Sequence, residues 1–235
     1  MSDVRDVIWL VADLECRATL TGFLDRKDFH TSLRCKPFLW NPDIDLIREE
    51  KGKDAGVWKN SHLLLRAKRI SHRHAVVLLD NAFDGSPGPE QLEHDIRENL
   101  QRVGWSLDDV EVIVLDPELE VWIWQRNVNV EQAFDYSGPP GLWKKLAELS
   151  ISPAKRFVPA DPDRGLVPAW PEHDPKPRDP KATVEAVRWL CNSDPPSAVF
   201  NSISARVSVR GCVDPGFLKL RGALQRWFPP EGVDA

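Results

Sequence analysis

The chain has 235 residues, of which 42% are hydrophobic and 29% charged, and its formal net charge is -5. These proportions are typical of globular proteins, and a chain of this length can bury a core without disulfide or metal cross-links. The negative charge excludes a global attraction to nucleic acid, so any such contact must come from local basic patches. Without a secretory pattern, a Cys-x-x-Cys pair or an apolar run near the ~20 residues of a membrane span, we expect a cytoplasmic protein with no membrane partner.

Three short runs in the first half of the chain are almost purely apolar. They cover residues 7–12 (VIWLVA), 75–79 (AVVLL) and 110–115 (VEVIVL). Runs of this length, rich in Val, Ile and Leu, are typical of strands that are buried on both faces of a parallel sheet. A weaker strand is predicted at residues 32–38.

The segments between these runs carry helical patterns, at residues 17–26, 45–68 and 89–103. The last is the clearest, because its apolar residues form one stripe, Pro89 suits the first turn and Gly104 suits the C-terminal cap. The alternation of strands and helices predicts an α/β fold. Its doubly wound, mainly parallel, Rossmann-like sheet would have helices on both faces.

A change in composition near residue 130 predicts three parts. Residues 1–130 would form the α/β core, and residues 131–180 a proline-rich connector with little periodicity. Residues 181–235 would form a helical C-terminal subdomain that packs on the core, with helices at residues 180–191 and 214–228.

Each of the three predicted strands is followed at once by an aspartate: Asp13, Asp80 or Asp116. Because the carboxyl ends of parallel strands meet at one edge of a sheet, we expect these carboxylates to converge. Carboxylates held close together repel unless a cation neutralises them, and Mg²⁺ and Mn²⁺ prefer such oxygen ligands. For any one aspartate, the alternative explanation is a helix cap or an Asx turn. Further acids follow within a few residues: Glu15, Asp84, Glu118 and Glu120.

Two of these acid-rich segments follow a pattern known from other proteins. After the central strand the chain reads Asp80-Asn-Ala-Phe-Asp84-Gly, and after the first strand it reads Val-Ala-Asp13-Leu-Glu15-Cys. They resemble the Asp-x-Asp-x-Asp-Gly and Val-Glu-Gly-x-x-Glu/Asp motifs of Toprim domains, which occur in topoisomerases, primases and defence-related nucleases. The middle aspartate of the first motif is Ala82 here. Alanine also occupies the usual glutamate position of the second, so that role would pass to Asp13 or Glu15.

The third acid-rich segment, Asp116-Pro-Glu-Leu-Glu120-Val-Trp122, is similar to the Pro-x-x-Glu-x-Trp signature of small Toprim-like proteins from bacterial phage-defence islands (the RloB-type and related families). The resemblance covers roughly residues 5–125. It implies a metal-dependent nuclease of an antiviral defence system that hydrolyses phosphodiester bonds in nucleic acid such as DNA. The implied ligands of Mg²⁺ or Mn²⁺ are Asp13, Glu15, Asp80, Asp84 and Glu120, and the implied catalytic residues are Glu15, Asp80, Asp84 and Glu120.

The two departures from the family motifs leave other interpretations open. The chain could be a non-catalytic Toprim-like accessory subunit that docks on a larger defence complex. It could also be a receiver domain of the response-regulator type with Asp80 as phospho-acceptor, although the lysine that such domains need after a late strand is not evident. No phosphate-binding loop is present, so nucleotide hydrolysis would need a separate ATPase as a protein partner.

Two groups of basic residues are candidates for nucleic-acid contact. The first precedes the central strand and should therefore lie at the amino end of the sheet, away from the acids, where a solvated helix end is the alternative explanation. The second lies in the C-terminal part and equally fits an ordinary amphipathic helix. The candidate residues are Arg66, Lys68, Arg69 and Arg73 in the first group and Arg206 and Arg210 in the second.

Overall fold

The structure, a computed structural model, describes residues 4–151, 157–159, 166–169, 174–177 and 179–230. Its contacts divide the chain into two units. The first contains Met1–Arg17, Leu24–Leu119 and Ser208–Ala235, and the second contains Ala18–Phe23 and Glu120–Val207. The three-part organisation with boundaries at residues 130 and 180 stays a prediction.

The first unit is built on a four-stranded sheet formed by β1 (Arg5–Val11), β2 (Leu46–Arg48), β3 (His72–Asp80) and β4 (Val110–Leu115). The strand order is β2-β1-β3-β4, and every pair of neighbours is parallel. The three strands predicted from the apolar runs are therefore confirmed. The weaker strand predicted at residues 32–38 is wrong, because its first residues end a short helix and the second strand lies further along the chain.

The helices, in chain order, are α1 (Leu14–Leu24), α2 (Phe29–Leu33), α3 (Lys53–Leu65), α4 (Pro89–Arg102), α5 (Glu120–Ile123), α6 (Val128–Ala133), α7 (Leu142–Glu148), α8 (Pro180–Cys191), α9 (Pro196–Ser204) and α10 (Pro215–Trp227). In the part of the chain that the structure describes, no helix is both long enough and apolar enough to cross a membrane.

Both faces of the parallel sheet are covered by helices. On one face, strand residues such as Ile8 and Val77 share a core with Ile96 of α4 and Val57 of α3, and all four are fully buried. On the other face, α10 packs against β4 so closely that a Cβ on Gly216 would lie 3.4 Å from Ile113 Cγ2 and 3.5 Å from Leu115 Cδ2. Alternate residues of each strand thus face opposite helical layers. The doubly wound α/β fold is confirmed.

The helix predicted at residues 45–68 is wrong in its first part. Leu46 begins β2, where it lies opposite Trp9 of β1. The chain then turns through residues whose backbone N–H groups, including that of Gly52, donate to the buried Glu49 carboxylate (3.2 Å), and α3 begins only at Lys53. The apolar pair at the start of β2 fits a helical period and a strand equally well, which is why the pattern was ambiguous.

The second unit is mainly helical and has an aromatic centre. The Trp124 ring stacks on Phe134 with 5.3 Å between centroids and meets the edge of Trp143 at 6.0 Å, and its Nε1–H donates to the Pro180 carbonyl (2.9 Å). Two short antiparallel strand pairs also lie in the segment predicted as a proline-rich connector. They are β5 (Leu149–Ile151) with β6 (Phe157–Pro159) and β7 (Leu166–Ala169) with β8 (Asp174–Pro177); the remainder of residues 152–178 lies outside the described residues.

Candidate metal centre

The topology brings the acidic strand ends to one edge of the sheet. Val11 lies opposite Leu78, and Asp80, the last residue of β3, lies opposite Leu115, the last residue of β4. β1 and β3 are neighbours although β2 separates them in sequence, so the connections leave this pair in opposite directions. In open α/β sheets a crevice forms at such a point, outside the carboxyl ends of the strands.

Three carboxylates form a group at this edge. Asp80, Glu118 and Glu120 each offer one oxygen, and these oxygens lie within 4.8 Å of one another. Asp80 and Glu120 are buried, with 5% and 6% of their surface exposed, and Glu118 is half-buried. In octahedral coordination at ~2.1 Å, opposite ligands of Mg²⁺ are about 4.2 Å apart. At most one pair among three ligands can be opposite, and the other pairs are about 3.0 Å apart, so some of these oxygens would have to move closer together for all three to bind a single small cation directly.

The backbone and the side chain of Asp80 are both held in place. Its backbone N–H donates to Asp54 Oδ1 (2.8 Å), and its own Oδ1 accepts from the backbone N–H of Leu119 (2.9 Å). Asp54 is buried in the first turn of α3. Because these bonds come from two different elements, the Asp80 carboxylate is fixed before any ligand arrives, as a preorganised site requires.

The segment between β4 and α5 is tied to the loop after β3, and this places the glutamates. The Ala82 N–H donates to the Pro117 carbonyl (2.9 Å), and the Asn81 side chain donates to Asp116 (3.0 Å). Glu118 is the residue directly after Pro117, and Glu120 begins α5 two residues later.

The acids predicted after the first strand lie outside the three-carboxylate group. Asp13 caps α1, because its Oδ1 accepts from the Cys16 N–H (2.9 Å) and its carbonyl accepts from the Arg17 N–H (3.2 Å). This is the structural role that the sequence left open for each aspartate. Glu15 is half-buried in the first turn of the same helix.

Two other acids that follow the strands are exposed. Asp84 lies in a turn just before Gly85, which has a φ of +80° and so favours glycine, and it is outside the group. Asp116 accepts the hydrogen bond from Asn81. Of the five predicted metal ligands, Asp80 and Glu120 therefore lie together, whereas Asp13, Glu15 and Asp84 do not join them in the group.

The Cys16 thiol lies within electrostatic reach of several of these acids. Its buried thiol has a pKa well above the ordinary value, mainly because of burial and further because of the charges of Asp80, Asp13 and Asp54. Asp13 thus lies near the group without belonging to it. The thiol stays protonated at neutral pH, so the donors that remain are oxygens, the set that Mg²⁺ and Mn²⁺ prefer over softer metals.

The predicted basic contacts fall elsewhere in the chain. Arg66, Arg69 and Arg73 are exposed and Lys68 is half-buried, in and around a 3₁₀ helix (Ala67–Ile70) that precedes β3 at the amino end of the sheet. In the second candidate group, Arg206 is exposed after α9 in the second unit, and Arg210 is exposed in the first.

Glu118 and Asp54 were absent from the ligands that the sequence suggested. Glu118 was noted only as an acid after the third strand. A signal did exist, since Glu118 and Glu120 are two residues apart just before a short helix. Asp54 fell inside a predicted long helix, so nothing in the pattern connected it with the strand ends.

No protein-family model, no curated protein and no solved structure matches this chain.

Proposed function

We propose that this chain is a Mg²⁺- or Mn²⁺-dependent, phosphodiester-acting protein of the nuclease type. Asp80, Glu118 and Glu120 would hold the ion. The observation that carries the proposal is the convergence of three carboxylate oxygens within 4.8 Å at the carboxyl edge of a parallel sheet. Two of these carboxylates are buried, and like charges gathered in a buried position favour a cation strongly.

The residues of the group differ in what they would do. Asp80 is the fixed member, because hydrogen bonds involving Asp54 and Leu119 hold it. Glu118 is more exposed and would form the solvent side of the site, where a substrate enters. A divalent ion bound here supplies electrostatic stabilisation for the charge that develops on a phosphodiester during hydrolysis.

The biological setting is part of the proposal and depends on the motif resemblance. Small Toprim-like proteins of defence islands share the order of the three acidic segments, which supports a role in antiviral defence with nucleic acid and other proteins as partners. All four cysteines are free thiols, which supports the reducing cytoplasm as the compartment.

A non-catalytic accessory subunit is the second candidate function. It is supported by the positions of Asp13, which caps α1, and of Asp84, which is exposed and outside the group. If these positions are used for folding rather than for metal, fewer ligands remain than the Toprim resemblance implies. Such a subunit would keep the fold and bind a larger complex without cleaving anything.

Calorimetric titration with MnCl₂ and MgCl₂, paired with cleavage assays on labelled DNA and RNA, separates the two functions. Asp80→Asn is the informative variant, because asparagine is isosteric and keeps an acceptor for the Leu119 N–H. Asp116→Asn is the matched control, since Asp116 also follows a strand but is exposed, and asparagine keeps an oxygen that can accept the hydrogen bond from Asn81. The nuclease proposal predicts metal-dependent cleavage in the wild type and the control, and metal affinity reduced by more than about tenfold in Asp80→Asn.

The other outcomes are equally clear. Metal binding that depends on Asp80, without cleavage of either nucleic acid, would favour the accessory subunit. If the wild type does not bind either ion at millimolar concentrations, the carboxylate group is not a metal centre and the proposal is wrong.

A further inference from the structure

Four cations lie close together at the amino end of the sheet, opposite the carboxylate edge. We name Arg66, Lys68, Arg69 and Arg73 the basic platform. Three of them are exposed, and all lie within eight consecutive residues of a chain whose net charge is -5. The positive charge of the platform therefore contrasts with the negative net charge of the whole chain.

The arginines of the basic platform differ from other cations of the first unit in their ion pairing. In the described part of the chain, the side chains of Arg66, Arg69 and Arg73 form no ion pair with a carboxylate. Other cations of the first unit behave differently: Lys219 lies 2.5 Å from Glu93, and the guanidinium of Arg226 lies 2.8 Å from the buried Glu111.

The backbone beneath the basic platform is firmly anchored. The indole Nε1–H of Trp105 donates to the Leu65 carbonyl (3.2 Å) just before the platform. After it, the Ser71 N–H donates to the Lys68 carbonyl (2.9 Å), and the Arg5 N–H donates to the Ser71 carbonyl (2.8 Å). Because this backbone is already held by hydrogen bonds, it adds little to the entropic cost of binding an anionic partner, which then comes mainly from the side chains.

Arg69 is additionally positioned by a glycine. Gly104 has a φ of +93°, and a Cβ at that position would lie 3.2 Å from Arg69 Nε and 3.4 Å from its Cζ. The arginine side chain therefore packs closely against the turn after α4. A larger residue at 104 would displace the guanidinium and strain the backbone.

The distance between the two ends of the sheet indicates the size of the partner. β3 runs from His72, beside the platform, to Asp80, so eight steps of ~3.3 Å separate the ends by about 26 Å. A nucleic acid that contacts both ends would have to span at least this distance, which is about 8 base pairs of duplex at ~3.4 Å per step. Three of the four cations are arginines, whose planar guanidinium binds phosphate in a bidentate manner.

We propose that the basic platform binds the phosphate backbone of a nucleic acid and anchors the polynucleotide at a distance from the carboxylate edge. This inference rests on the proposed function for the choice of nucleic acid as the partner. The platform would supply affinity without sequence preference, because contacts to phosphate position a nucleic acid but do not read its bases.

The test measures binding by fluorescence anisotropy in EDTA, where the carboxylate edge holds no metal and no cleavage occurs. The probe is a labelled DNA duplex of about 24 base pairs, three times the length that the separation requires, and the same-sequence single strand is measured beside it. The variants are the triple Arg66→Glu, Arg69→Glu, Arg73→Glu and the milder triple with Gln at the same positions. The control triple Lys27→Glu, Lys59→Glu, Lys144→Glu replaces exposed lysines outside both candidate groups and changes the net charge by the same amount as the first triple.

The proposal predicts that the platform triples bind more than about tenfold more weakly than the control triple. Loss of three phosphate contacts should also reduce the slope of log affinity against log salt by about 2.7. Unchanged melting temperatures would show that the platform variants fold.

Three results would overturn the inference. The wild type could bind neither probe at about 50 mM salt, or the control triple could lose as much affinity as the platform triples. Alternatively, vesicles of phosphatidylserine and phosphatidylcholine could bind the wild type more tightly than DNA does and depend on the same arginines. Because all binding is measured in EDTA, failure of the metal proposal leaves these outcomes unchanged, and the two proposals can fail separately.

Discussion

Each end of the parallel sheet holds a buried aspartate, and the two aspartates differ in the neighbours that are seen around them. At the amino end, Asp45 has no exposed surface and lies between two basic side chains: the Arg5 guanidinium forms an ion pair with it, and His72 Nε2 lies 3.2 Å from its Oδ1. The Asn41 N–H donates to its second oxygen (2.7 Å). At the carboxyl end, Asp80 is almost as deeply buried, but the other members of its group are two further carboxylates.

The difference indicates what each end is for. A buried carboxylate that serves the fold is surrounded by cations and donors, because an uncompensated buried charge is very costly. Three carboxylate oxygens within 4.8 Å of one another bring several titratable groups to one place, and such groups concentrate at functional sites. Asp45 is therefore a structural residue, and Asp80 belongs to a candidate binding centre.

The largest effect is expected from Asp45→Ala. Removing this carboxylate leaves Arg5 without its ion pair and Nε2 of the buried His72 without its acceptor, and we expect a loss of about 3–5 kcal/mol in the free energy of unfolding. Asp43→Ala is the control, because the side chain of Asp43 is 86% exposed. Its free energy of unfolding should differ from that of the wild type by no more than about 0.5 kcal/mol. Urea denaturation measures both. A loss below about 1 kcal/mol for Asp45→Ala would show that this buried pairing is not what stabilises the amino end.

A smaller effect is expected from Asp54→Ala. It leaves the buried Asp80 N–H without its acceptor, and we expect a loss of about 1–3 kcal/mol. Asp54→Asn keeps an acceptor oxygen in the same place, so its free energy of unfolding should fall clearly less than that of Asp54→Ala. Equal losses for the two variants in urea denaturation would mean that the charge of Asp54, rather than this hydrogen bond, is what matters.

The sequence alone predicted part of the fold and part of the candidate site. The three long strands were predictable because strands buried on both faces of a parallel sheet read as continuous apolar runs. β2 was not, since its three residues give no periodicity to detect. The topology of parallel strands predicted that acids at the strand ends converge. It did not predict which of the acids form the three-carboxylate group. Glu118 and Glu120 lie near Asp80 where hydrogen bonds connect the loop after β4 with the loop after β3, and sequence patterns do not show such bonds.

The amino end should also make stability dependent on pH. Burial lowers the pKa of His72 below its ordinary value, against the opposing effect of Asp45, and burial likewise lowers the pKa of His74. The unfolded chain then binds more protons than the folded chain, so stability should fall as the pH drops below about 6.5, until the pH has passed the lowered values. Each histidine contributes at most about 1.4 kcal/mol per pH unit.

Unfolding in urea between about pH 4.5 and 8 measures this slope. His72→Gln should have a shallower slope than the wild type below about pH 6.5, whatever its stability at neutral pH. Identical slopes for the two proteins would contradict the assignment of His72 as a neutral, buried group.

The smallest effects are expected from the exposed cations of the amino end. Arg66→Gln and Arg73→Gln should each change the free energy of unfolding by no more than about 0.5 kcal/mol, because neither side chain has a described carboxylate partner. Arg226→Gln is the contrast, since it removes a partner of the buried Glu111, and it should cost about 1 kcal/mol. If the platform variants cost as much as Arg226→Gln in urea denaturation, the basic platform has a structural role.

The most direct test of the central claim compares the unfolding free energies of the wild type and Asp80→Asn, in EDTA and with millimolar MnCl₂. In EDTA the variant should be at least as stable as the wild type, because one of three repelling carboxylates is neutral and the acceptor for the Leu119 N–H is kept. With Mn²⁺ the order should reverse, because ion binding stabilises only the folded wild type, by about 2.7 kcal/mol at a hundredfold excess over its dissociation constant. If the variant is less stable than the wild type by the same amount in both conditions, the carboxylate edge is a structural feature, as Asp45 is, and not a metal centre.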